Sequence, residues 1–216
     1  MPQTIVTEEL EITGKGGASK PPSPDGGEGG DGASGGSAAI PQRVYVTGIT
    51  IGMGAILMFF MALVSAFIVR KGVGNDWRSF ELPRILWLNT AILLASSATV
   101  VLARRKLGKD NLEGFRHWWA VTTVLGLFFL AGQLIAWRQM IAAGFYVATN
   151  PSGSFFYVLT AAHGLHLLGG IFALVYVGWL RLRKLTLATA TEVASLYWHF
   201  MDGLWVFLFL ILLLGR

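Results

Sequence analysis

Ser195–Leu213, reading SLYWHFMDGLWVFLFLILL, is the stretch whose reading decides the fold. At ~1.5 Å per residue it is long enough, as a helix, to cross a hydrocarbon core ~30 Å thick. It also holds His199 and Asp202 one helical turn apart among apolar side chains. Ionisable groups at that depth are costly and have a partner or a task. The rest of the chain repeats the apolar theme. Hydrophobic residues fill 54% of the 216 positions, charged residues only 13%, and the mean hydropathy is +0.58. That composition belongs to an integral membrane protein and not to a soluble domain of this size.

Lys, Arg, Asp and Glu are absent from Val44–Val69, Ile85–Ala103, His117–Trp137 and Gln139–Leu180, and Asp202 alone interrupts Val193–Gly215. The first three runs and the last hold one spanning helix each. Gln139–Leu180 is too long for one helix. Its first part passes through GFYVATNPSGS, where Asn150-Pro151 and small polar residues predict a loop, followed by a helix over about 154–180. The expected fold is an all-α bundle of five transmembrane helices, at about 44–69, 85–103, 117–137, 154–180 and 193–214, within a membrane domain covering 44–216.

Residues 1–43 are a different material. Between Gly14 and Gly36 lie ten glycines and three prolines among Ser, Asp and Glu, a composition that cannot bury apolar surface and predicts a disordered tail. Orientation follows from the basic residues. With the tail inside, Lys15, Lys20, Arg43, Arg104, Arg105, Lys106, Lys109, Arg116, Arg181, Arg183 and Lys184 face the inner side, against Arg70, Lys71, Arg78, Arg84, Arg138 and Arg216 outside. That bias predicts a cytoplasmic N-terminus and a C-terminus on the periplasmic or outer side. It also accounts for the net charge of +5, so no nucleic-acid partner is implied.

His163 and His166 form an HGLH pair on one face of the fourth helix, a spacing that could ligate a metal. The chain has four histidines and no cysteine, which excludes iron–sulfur clusters and thiolate copper centres. A haem would need one of the pair opposite His199; histidines hydrogen-bonded within the bundle are the preferred reading. Adjacent helices joined by a short connection run antiparallel, and helix counting puts His166 and Asp202 at similar depth. A buried polar cluster of His163, His166, His199 and Asp202 is therefore expected, with Asp202 bonded to His166, His199 or both. Gln133 could line a polar path or bond to a neighbouring helix. Ser96, Ser97, Gly126, Gly132, Gly164, Gly169 and Gly170 read as small faces for helix packing. Trp77, Trp87, Trp118, Trp119, Trp137, Trp179 and Trp198 fall near predicted helix ends, where indole rings anchor in the headgroup layer.

Five pieces carry a resemblance: LMFFMALVSAFIVRKG with Trp77, LPRILWLNTAILLASS, LGLFFLAGQLIAW, FFYVLTAAHGLHLLGG and YWHFMDGLWVFLF. In this order, and on every predicted helix, they resemble subunit III of the haem-copper oxidases in its five-helix bacterial form, related to cytochrome c oxidase subunit III. The resemblance covers about 44–216. It implies a subunit with no catalytic residues and no haem or metal of its own, the haems and copper lying in partner subunits. It also implies contact with the catalytic subunit I and with subunit II, phospholipid held in a cleft that Gln133 and Trp87 could line, and support of proton uptake in aerobic respiration. A quinol oxidase subunit III is the alternative, and a stand-alone membrane scaffold or transporter the reading from another class. Two positions where the family often carries a buried glutamate are Ile56 and Ala136 here, so no role resting on those carboxylates transfers.

Overall fold

The computed structural model describes residues 42–73, 82–146, 151–179 and 184–215. The expected disordered tail lies outside them but for its last two residues, as does Trp77. Five helices follow in order: α1 (Gln42–Val73), α2 (Ile85–Gly108), α3 (Leu112–Ala142), α4 (Pro151–Trp179) and α5 (Lys184–Gly215). Each is long and apolar enough to cross a membrane. A helix is the form these sequences must take there, because it satisfies every backbone donor and acceptor inside its own segment.

The helices overrun the charge-free stretches. Apolarity dictates which residues can sit in hydrocarbon, whereas a helix continues until a local signal stops it. For α3 that signal is Asn111, whose side chain accepts the Gly114 N–H at 2.7 Å, with Glu113 in the first turn; both features suit a helix N-terminus. The preceding hairpin is tight. The Lys109 and Asn111 amides return to the Lys106 carbonyl at 3.2 and 3.0 Å, and Asp110 adopts φ 57°, a left-handed conformation that Asp tolerates. Gly144, at φ 82°, turns the chain after α3. The loop expected up to residue 153 gives way to helix at Pro151, because proline lacks an N–H and has its φ preset for a first helical turn.

Packing begins with the α2–α3 hairpin. α3 then lies along α4, and α5 packs against α4, α2 and α1. α1 and α5 run in the same direction: at their C-terminal ends Lys71 Nζ donates to the Leu214 carbonyl at 3.2 Å, and Phe67 occupies the space a side chain at Gly215 would need. Much of α1 faces outward, with Met58 76% and Ile51 69% exposed, as expected of a helix meeting lipid or another subunit.

The core is aromatic. Trp119, Trp198 and Trp205 are fully buried with Phe60, Phe115, Phe129 and Phe156. The anchoring role expected of the tryptophans therefore needs correction. Trp87 and Trp179 are exposed, but Trp119 and Trp198 are core residues. The reason is polar: Trp119 Nε1 donates to the Leu174 carbonyl at 2.7 Å and Trp198 Nε1 to Ser96 Oγ at 3.0 Å, so each buried indole has a partner on a facing helix.

Candidate functional site

The polar side chains of the spans turn inward and form a seam between α2, α3, α4 and α5. Its repeating unit is a helix hydroxyl that donates to its own backbone and accepts from an indole. Thr90 donates to the Leu86 carbonyl at 2.8 Å and accepts Trp205 Nε1 at 3.0 Å. Ser96 donates to the Leu93 carbonyl at 2.6 Å and accepts from Trp198. Thr160 donates to the Phe156 carbonyl at 2.7 Å and accepts Trp137 Nε1 at 3.0 Å. A hydroxyl has one proton and two lone pairs, so each makes both bonds without leaving a buried group unsatisfied. The α2–α5 pairs run Thr90 with Trp205 and Ser96 with Trp198, which fixes those helices as antiparallel.

Small residues set the spacing. A Cβ at Gly126 would stand 2.7 Å from Trp198 Cη2, one at Gly170 3.1 Å from the Tyr197 ring, and one at Gly132 would overlap the Asn89 side chain. The packing role expected of these glycines holds at those three positions, whereas Gly169 meets nothing within 4 Å.

The four members of the expected cluster occupy distinct niches. His163, fully buried, is enclosed by rings: Phe60 at 6.5 Å, Phe129 at 5.9 Å and Trp205 at 5.1 Å between centroids. Neither of its nitrogens has a hydrogen-bond partner. His166 turns Nδ1 to the Ala162 carbonyl of its own helix at 2.8 Å and packs its ring on Phe60 at 5.6 Å. His199 places Nδ1 2.6 Å from Ser97 Oγ. Asp202 is 4% exposed, and both carboxyl oxygens lack a hydrogen-bond partner. The expected bond from Asp202 to a histidine is thus replaced by His166 bonding within α4 and His199 bonding across to α2. Matched depth brings residues to one level of the bundle, but which face of that level each occupies is set by helix rotation.

Gln133 is buried with both amide atoms unpartnered, as is Asn89 on α2. Trp87 is 58% exposed and lies edge-on to Phe209 at 4.9 Å, so Gln133 and Trp87 have different surroundings. Ala136 is fully buried and Ile56 packs on the core. Among the described residues no three His, Cys, Asp or Glu side chains group in a way that could hold a metal ion. Sequence reading missed Ser97: a serine on an apolar helix reads as a small packing residue, and only the structure puts it against His199. A separate groove of about 660 Å³ opens between α1 and α4, lined by Val69, Arg70, Val73, Pro151 and Phe155 among others.

Five apolar helices with a polar seam buried between them, and broad apolar faces outside, define a multi-pass membrane protein. The family model for cytochrome c oxidase subunit III matches residues 42–214, all but the last residue of the described bundle. The chain belongs to that family and is a haem-copper oxidase subunit III. A probable cytochrome c oxidase subunit 3 of Nocardia farcinica is 34% identical over 187 residues, covering 80% of this chain and 92% of the relative. The protein of that description from Mycobacterium leprae is 33% identical over 187 residues, 80% and 88% covered. A cytochrome c oxidase subunit 3 of Thermostichus vulcanus is 30% identical over 174 residues, 77% and 85% covered.

Proposed function

We propose that this chain is the non-catalytic third subunit of a proton-pumping cytochrome c oxidase in a bacterial plasma membrane, with its N-terminus in the cytoplasm. There it packs against catalytic subunit I beside subunit II, holds phospholipid and sustains proton uptake. The observation that carries the reading is the family match along the whole bundle. A donor set of four histidines and no cysteine supports leaving the haems and copper to the partners. Relatives named for cytochrome c oxidase favour cytochrome c over quinol as the donor. The α1–α4 groove supports the lipid role, because its apolar walls suit an acyl chain and Arg70 suits a headgroup phosphate.

Support of a catalytic subunit from a distance has a defined signature. Oxidase lacking this chain should keep its haem spectrum and its initial turnover, then lose activity over repeated turnovers and take up protons more slowly than the intact complex. Identical endurance and identical proton uptake with and without the chain would refute the reading.

A further inference from the structure

Ser97 stands between two ionisable groups of α5. Its oxygen lies 2.6 Å from His199 Nδ1. Asp202 sits one helical turn beyond His199, on the stretch of α5 that the Trp198–Ser96 and Trp205–Thr90 bonds hold against α2, and both its carboxyl oxygens are buried without a hydrogen-bond partner. Access falls along the series, since His199 and Ser97 are half-buried and Asp202 is 4% exposed. On either side, Trp198 to Ser96 and Trp205 to Thr90 clamp α2 to α5 at 3.0 Å each. With the helices held, a bond between Ser97 and Asp202 would be made by side-chain rotation.

A hydroxyl with one proton can join an imidazole and a carboxyl in two polarities. In the first, His199 is an imidazolium whose Nδ1–H donates to Ser97 Oγ, and the Ser97 hydroxyl donates to the Asp202 carboxylate. In the second, Asp202 is the acid and donates to Ser97 Oγ, which donates to the bare Nδ1. The two states hold the same protons and differ in where one of them sits, on Nδ1 of the imidazolium or on the Asp202 carboxyl, the second leaving a neutral imidazole protonated at Nε2. The Nδ1–H bond breaks as a new Oγ–H bond forms, and the original Oγ–H bond breaks as an O–H bond forms on Asp202. Nothing else is consumed, and the hydroxyl is regenerated.

We propose that His199, Ser97 and Asp202 form a relay through which a carboxyl buried in the bundle takes up and returns one proton. The ligand of this site is the proton, entering at the half-buried imidazole and stored at Asp202. Other ionisable groups around it are few. On α2, Arg104 stands two helical turns beyond Ser97. On α4, His163 lies against Trp205 and His166 is committed to the Ala162 carbonyl. On α5 itself, the Tyr197 hydroxyl donates to the His166 carbonyl at 2.9 Å. α1 contributes Phe60, Val64 and Phe67 to the core, and α3 contributes Gly126 and Phe129 toward the α5 tryptophans, none of which titrates. The use of the relay, though not its chemistry, rests on the reading that this subunit sustains proton uptake.

The test is infrared spectroscopy of the intact oxidase complex, with the difference between wild type and Asp202→Asn isolating the carbonyl band of this one acid. On transfer to D₂O the band should shift as the acid exchanges its proton. Ser97→Ala should slow that exchange by a factor of ~10², the scale of a positioned proton-transfer group, and Ser97→Thr, which keeps the hydroxyl, should restore it. Retained haem absorbance certifies assembly in each variant. Equal exchange rates in wild type and Ser97→Ala would overturn the relay, as would the absence of any Asp202 acid band across the pH range in which the complex is stable. Loss of the relay would leave the dependence of turnover on the whole subunit intact, so the two readings fail separately.

Discussion

Gly126→Ala should destabilise the bundle by overpacking one contact. The added carbon would stand 2.7 and 3.1 Å from two atoms of the Trp198 ring and 3.3 Å from Ile171 Cγ1. Trp198 has little freedom to retreat, being fully buried and tied by its indole to Ser96 at 3.0 Å. In a membrane the association of helices depends on close packing more than on a hydrophobic drive, so displacing the Trp198 ring, which reaches from α5 to α3 and bonds to α2, is felt directly. Overpacking a close core costs ~1–3 kcal/mol, and losing the indole bond adds ~0.5–1.5 kcal/mol. The expected total of ~2–4 kcal/mol is a change of ~30- to 1000-fold in the folded population. The assay is the thermal midpoint in mild detergent, followed by tryptophan fluorescence, with Gly169→Ala as the control at an open site. Combining Gly126→Ala with Trp198→Leu should give a double variant more stable than the sum of the two single effects, because the smaller side chain frees the space the methyl needs. A midpoint for Gly126→Ala equal to that of the control, or strict additivity in the double variant, would refute the packing argument.

Asn111→Ala should cost ~0.5–2 kcal/mol through loss of the Gly114 cap, read as a lower thermal midpoint with unchanged assembly. Trp137→Phe removes one indole donor but leaves Thr160 bonded to the Phe156 carbonyl, so stability should fall by only ~0.5–1.5 kcal/mol, read as a small drop in the thermal midpoint; a loss as large as that of Gly126→Ala would contradict this. Deleting residues 1–36 should leave insertion and assembly nearly unchanged, because a Gly-rich composition has little to bury, and loss of the complex on truncation would show that the segment docks on a partner.

The five crossings were legible because hydrocarbon imposes one crude demand, a long run without charge, and the sequence meets it five times. Helix ends were less so. Asn111 as a cap and Pro151 as a first-turn residue carry recognisable signals, yet a charge-free run says nothing of how far the helix continues past it. The polar seam was half legible. WHFMD and HGLH announce buried ionisable groups, but which neighbour each meets depends on helix rotation: His199 turns to Ser97 and His166 to its own helix, whereas depth counted along the helices joins one or both of them to Asp202. The tryptophans misled for a related reason. An indole within a turn or two of a predicted helix end suits an interface on sequence grounds, and only the hydroxyls of Ser96, Thr90 and Thr160 on facing helices explain why so many rings point inward.

Affinity purification of the tagged chain from its native membrane, with an optical spectrum and identification of whatever accompanies it, tests the central claim most directly. The account predicts a stoichiometric haem-bearing partner of the oxidase catalytic type, with haem absorbance that stays with the partner when the two are separated and no haem or copper on the isolated chain. Recovery of the chain alone, or haem that remains bound to it after separation, would contradict the account.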